Sequence, residues 1–154
     1  DIGDFETIPE ILNDIINENI SKLDEHLAKG WDIDKNISIS KYTDLSPLDC
    51  ALIQGCFKSV KWLVEHGVNL NIKDNPSFLT AVRYCDEKII QYIVSNGAKV
   101  NLTNNVKSDA FMEAIYGKNY KYLQLIHITP CLSRLAPFSQ AFCIEVAQVS
   151  LSSP

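Results

Sequence analysis

Apolar residues recur along this chain at intervals of three and four, the period of a helix with one face turned to a core. Ile8, Ile11, Leu12, Ile15 and Ile16 follow that spacing near the start. Later stretches resume it and close on similar phrases: LDEHLAKG-WDID, VKWLVEHG-VNLN and IQYIVSNG-AKVN, ending on Gly30, Gly67 and Gly97. Each reads as the last turns of an amphipathic helix, a glycine that takes the left-handed C-cap conformation, and a short extended tail. Shifting residues 46–71 by 30 positions lays Leu48 on Phe78, Ala51 on Ala81, Val60 on Ile90, Leu63 on Ile93 and Gly67 on Gly97 without a gap. A further step of 33 carries Phe78 to Phe111, Ala81 to Ala114, Ile90 to Leu123 and Ile93 to Ile126. Gly30 and Gly67 are 37 apart, so a longer loop follows the first phrase. An internal period of this length predicts stacked helix pairs, each burying its apolar face against its neighbours.

Four repeats are expected, at about 7–34, 46–71, 76–101 and 109–130, within one domain spanning 1–154. In the first, Thr7 is placed to cap a helix with Glu10 reaching back in a capping box. Asp14 falls in the slot that later repeats fill with alanine. A carboxylate is costly to bury, so this repeat is expected to turn that side to water, as an N-terminal cap. Residues 31–45 form an enlarged loop whose IDKNISIS alternation fits either a β-hairpin finger or a packed surface loop. After Ile128 the pattern blurs. Pro130 and Pro137 break helices, and 136–152 reads as a truncated fifth repeat, an unrelated helical cap, or a non-native tail.

In the second repeat, Ser46-Pro47-Leu48, Ala51, Gly55, then Leu63, Val64 and Gly67 resemble the ankyrin-repeat motif, T-P-L-H-x-A, an inter-helix glycine, and a closing L-L-x-x-G. Asp49 replaces the motif's histidine, Cys85 the third repeat's inter-helix glycine, and Pro130 stands where the fourth repeat's closing glycine belongs. The resemblance covers roughly 7–128. It implies an all-α ankyrin solenoid of about four helix-turn-helix units with a helical C-terminal cap, whose first helices and loop tips line a concave groove. Carried over position by position, the partner-binding residues would be Tyr42, Thr43, Leu45, Ile53 and Gln54 in the second repeat. The third would supply Lys73, Asn75, Arg83 and Tyr84, and the fourth Asn105, Lys107 and Tyr116. Tyrosine and arginine often carry binding energy, and Lys73, Arg83 and Lys107 would give the groove positive charge. The expected partner is another protein presenting acidic and apolar side chains. Trp62 and Tyr92 share a repeat position on second helices and are expected to pack in the core or between repeats, the alternative being a second binding face.

Composition narrows the function. The 154 residues are 46% hydrophobic, enough for a packed core, and the net charge of −5 disfavours general binding of nucleic acid or anionic membranes. No apolar run approaches the length of a membrane span, and no signal peptide is visible. Five cysteines without disulfide-like spacing point to reduced thiols and a cytoplasmic setting, of the producing cell or of a host cell if the protein is secreted. The sequons at Asn19, Asn36 and Asn101 read as accidental in so asparagine-rich a sequence. No catalytic constellation, metal signature or phosphate loop stands out. His26, His66 and His127 lie near second-helix ends, where each is expected to interact with terminal carbonyls, and Asp86-Glu87 begin a second helix. The expected role is therefore non-catalytic binding without cofactor, metal or small-molecule substrate. An inhibitor or immunity-type protein is one form of it. The alternatives are a targeting module of a larger enzyme, for which the start at Asp1 and the ragged end after Pro137 speak, and a secreted host-directed effector.

Overall fold

A computed structural model describes residues 9–119. The chain divides into two compact parts, one up to Asn69 and one from Leu70.

The first part holds two helix pairs and a hairpin. Helices α1 (Glu10–Ile16) and α2 (Ile20–Ala28) form the first pair, and α3 (Pro47–Gln54) and α4 (Phe57–Glu65) the second. Helix α1 packs on α2 and α3, and α4 packs on α3 and α2. The buried centre is Leu12, Ile15, Leu23, Leu48, Ala51, Leu52, Val60 and Leu63, the positions that the helical period picks out. Ser46 begins α3 as its sequence suggests: its hydroxyl accepts from the Asp49 amide at 3.0 Å, with Pro47 in the first turn. Between the pairs stand β1 (Ile37–Ser40) and β2 (Thr43–Leu45), antiparallel, with Ile37 opposite Leu45 and Ser38 opposite Asp44. The alternation in this loop thus makes a hairpin finger, and the described residues are helical with one small two-stranded sheet rather than all-α.

Polar side chains stitch these pairs together. The Ser59 hydroxyl donates to the Ile15 carbonyl at 2.6 Å, the Lys58 amide to Glu18 at 2.7 Å, and the Trp62 indole to Asp24 at 2.8 Å. Trp62 is buried and stacks on Trp31, so it packs between repeats as its position implies.

Asp14 departs from expectation. It is buried rather than turned to water, and it accepts from Asn19 at 3.0 Å and meets His26 at 2.9 Å. These partners satisfy the carboxylate, so a buried acid is tolerated where alanine sits elsewhere. Thr7 lies outside the described residues; α1 begins at Glu10 after Pro9, without a side-chain cap.

The second part contains α5 (Ser77–Tyr84), α6 (Glu87–Ser95) and α7 (Ala110–Tyr116). Helix α5 packs on α6 and on α7, and Ala81 and Ala114 are fully buried in that pairing. Small residues at these slots let the first helices of successive repeats approach. Asp86 caps α6 and Asp109 caps α7, each carboxylate accepting an amide three residues on. The Asp86-Glu87 pair is therefore a helix start, as its sequence position suggests.

Gly30, Gly67 and Gly97 all take positive φ (93°, 83° and 105°), the conformation their shared slot requires. One tail bond recurs in both parts: Asp34 accepts the Asn69 amide at 2.8 Å, and Asn71 accepts the Lys99 amide at the same distance. The second helix expected of a fourth repeat and the segment 136–152 expected to cap it lie outside the described residues, as do His127 and the C-terminal cysteines.

Candidate functional site

Helices α5 and α7 bring the richest set of expected residues together. Arg83 and Tyr116, related by the 33-residue step in the sequence, stand on α5 and α7. Because those helices pack side by side, the guanidinium carbon of Arg83 lies 5.8 Å from the Tyr116 ring centre and 5.5 Å from that of Tyr84. Both distances are within reach of a cation–π attraction. Arg83 and both tyrosines are exposed.

Below them, Arg83 Nη1 donates to Glu113 Oε2 at 3.4 Å, and Asn104 Nδ2 donates to Glu113 Oε1 at 3.3 Å. Arg83, Tyr84, Asn75, Leu79, Thr80, Asn104 and Glu113 line a cleft of about 160 Å³. Its walls are mostly polar and its accessible charge is the guanidinium, since Glu113 is buried and Arg83 is not.

Two residues that the sequence did not single out hold this cleft in shape. Asn119 Nδ2 donates to the carbonyls of Val82 at 2.7 Å and Cys85 at 3.3 Å, satisfying the end of α5. That end lacks the left-handed glycine of its counterpart: Gly55 has φ 68°, whereas Cys85 is extended. Gly117, just past α7, sits directly on the backbone of Arg83, where a Cβ would fall on the Arg83 carbonyl oxygen. The close of α7 is thereby locked to the close of α5.

The other expected residues are placed as follows. Lys73, Asn105 and Lys107 are exposed on the turns before α5 and α7, and none lines the cleft. Those turns meet through the Asn105 amide, which donates to the Asp74 carbonyl at 3.0 Å. In the first part, Tyr42 stands at the hairpin tip, 87% exposed, with Lys41 Nζ 5.4 Å from its ring. Thr43 and Leu45 follow on β2, and Ile53 and Gln54 end α3. Sequence reasoning missed Glu113, Asn104 and Thr80. The only signal was an acid in the slot that Thr80 and Cys50 fill in the preceding repeats.

The histidines divide. His66 Nδ1 lies 2.7 Å from the Trp62 carbonyl, the helix-end role expected of it. His26 instead pairs with Asp14, across the break between α1 and α2. Glu10, Asp14 and His26 bring their donor atoms within 4.8 Å of one another, a spacing that could hold a metal ion. Both Asp14 oxygens already have partners, in Asn19 and His26. Burial works against ionising Asp14, yet the hydrogen bonds from Asn19 and His26 outweigh it and hold the carboxyl below its usual 3.8. Burial raises the thiols of Cys50, to about 11, and Cys85, to about 12, with help from neighbouring acids, so neither is poised as a nucleophile. Among the described residues, no helix is long and apolar enough to cross a membrane.

No curated protein matches this sequence. The family model for ankyrin repeats (many copies) matches residues 48–92, from the first turn of α3 into α6. Ankyrin repeats are generally protein–protein interaction modules and typically non-catalytic. The match takes in Gly67, the buried alanines Ala51 and Ala81 and the Asp86-capped start of α6; this segment of the chain is similar to ankyrin repeats.

Proposed function

We propose that this protein binds a partner protein, without catalysing a reaction, through its first-helix ends and loop tips. One observation carries the reading: an exposed arginine stands between two exposed tyrosines on adjoining repeats, beside a polar cleft. Tyrosine rings give broad contact area at small entropic cost, and a guanidinium is suited to carboxylates, so such clusters dominate binding energies. The partner presents acidic side chains to Arg83, with Lys73 and Lys107 adding positive charge nearby, and apolar ones to the tyrosines. On the first part, Tyr42, Thr43, Leu45, Ile53 and Gln54 serve the same partner. Occlusion is what such a module can do to its target, which favours an inhibitor or immunity-type role. Buried thiols fit a reducing cytoplasm.

The test is binding to the partner recovered by affinity purification from the native cell. Replacing Arg83 and Tyr84 with alanine together is expected to weaken binding by more than about 2 kcal/mol, roughly thirtyfold. Lys61→Ala on α4 is the control and leaves it unchanged. Full binding by the double variant, once shown to be folded, would remove this surface from the account.

A further inference from the structure

We propose that the cleft beside Arg83 takes a single peptide carboxylate, and that Glu113 restricts it to singly charged groups. This rests on the reading of the same surface as a docking face and specifies what enters it. A guanidinium has five N–H donors in a planar fork. Among the described residues Arg83 has one acceptor, Glu113, reached from Nη1 at 3.4 Å. The Nε and Nη2 edge is left for a second acceptor, and that edge matches the two oxygens of a carboxylate. The Tyr84 and Tyr116 rings, each within 6 Å of the guanidinium carbon, limit the side chain's freedom, so less ordering entropy is lost when an acceptor binds. Asn75, Thr80 and Asn104, all lining the cleft, are neutral and add no competing charge.

Charge decides the class. The Glu113 side chain is 8% exposed and both its oxygens already accept hydrogen bonds, so it offers little to an incoming cation. The Arg83 side chain is 41% exposed, and its charge is the one a ligand meets. The Glu113 carboxylate nevertheless cancels much of that charge at short range. One anionic charge is attracted by the near guanidinium, whereas a doubly charged phosphate adds a second charge that Glu113 repels. An aspartate or glutamate side chain and the C-terminus of a polypeptide share the chemistry that fits.

The experiment follows the Arg83 Nε–H and the Tyr84 and Tyr116 ring signals by NMR in the full chain. Four probes are titrated: N-acetylglutamate amide, N-acetylglycylglycine, N-acetylglutamine amide and inorganic phosphate. A saturating shift is expected with one or both carboxylates in about the millimolar range, with phosphate and the neutral amide about tenfold weaker or silent. A response to N-acetylglycylglycine alone assigns the site to a C-terminus, and one to N-acetylglutamate amide assigns it to a side chain. Glu113→Gln should bring the phosphate affinity up to that of the carboxylates, a selectivity change that mere loss of structure would not produce. Arg83→Lys, followed at the tyrosines, should weaken the carboxylates about tenfold because the fork is lost. Equal shifts from the glutamate and glutamine probes, silence from both carboxylates, or tighter phosphate binding by the unaltered protein would overturn the proposal. If the probes fail while partner binding still depends on Arg83 and Tyr84, the docking face stands and the carboxylate clamp falls. Specific probe binding, with partner binding indifferent to Arg83, leaves the clamp standing and removes the docking face.

Discussion

Two buried carboxylates, Asp14 in the first part and Glu113 in the second, occupy neighbouring slots on first helices and behave differently. Asp14 is met by Asn19 and His26 at 3.0 and 2.9 Å, and the His26 side chain is itself only 14% exposed. Glu113 is met at 3.3 and 3.4 Å, and its charged partner is 41% exposed. The first arrangement is closed: every strong acceptor is spent inside the protein, and its work is to hold α1 against α2. The second is open, because an inner acid orients an outer cation that keeps most of its donors for something else. Burial of an acid alone does not separate structure from site. Its partner's exposure does.

Substitution should divide the pair most sharply. Asp14→Ala leaves Asn19 and half-buried His26 without their acceptor and is expected to cost about 3 kcal/mol in denaturant unfolding. Both tryptophans, Trp31 and Trp62, lie in the first part, so their fluorescence reports on that part alone. Glu113→Gln keeps the shape and one acceptor oxygen, giving up one of two weak bonds, and is expected to cost about 1 kcal/mol, followed by circular dichroism. Equal costs would erase the distinction between closed and open.

A smaller effect sharpens how the open site is held. Gly117→Ala drives a methyl group into the Arg83 carbonyl and is expected to cost about 2 kcal/mol while separating the ends of α5 and α7. The Arg83 and Tyr116 NMR signals should move in this variant. Unmoved signals would show that the Gly117 contact does not position the guanidinium.

The smallest effect is the pH dependence of the closed pair. Because the Asp14 carboxyl is held below 3.8, its contribution to stability is fully present above that value. It is lost as the pH falls through the lower folded-state value. Unfolding of the unaltered protein and of Asp14→Asn, followed by tryptophan fluorescence, should therefore converge in acid below pH 3.8 and differ above it. A gap that stays constant through this range would mean the bonds around Asp14 do not depend on its charge.

The sequence carried the frame well. A three-and-four period found the helices, and the repeated glycine slot proved to be left-handed wherever it is described. The 33-residue step also put Arg83 and Tyr116 in one slot, which is why they meet. Polar partnerships were another matter. Asp14 and His26 are twelve residues apart across a helix break, a separation with no helical meaning, so the cost of burying a carboxylate suggested solvent where there is a side-chain partner. Glu113 gave a faint signal as an acid in an apolar phrase, but nothing local named Arg83 or Asn104 as its partners. Asn119 and Gly117 act through backbone positions on another helix, which composition does not reveal. The hairpin was half legible: alternation is a strand signal, but a short loop can show it by chance.

The most direct test of the central claim is photo-cross-linking in the native cell, with the reactive group placed at Tyr84 in one protein and at exposed Lys61 on α4 in another. The account predicts one dominant adduct from Tyr84, diminished when Arg83 is replaced by alanine, and little from Lys61. A dominant adduct from Lys61 with none from Tyr84 would place the binding face on the second helices and contradict it.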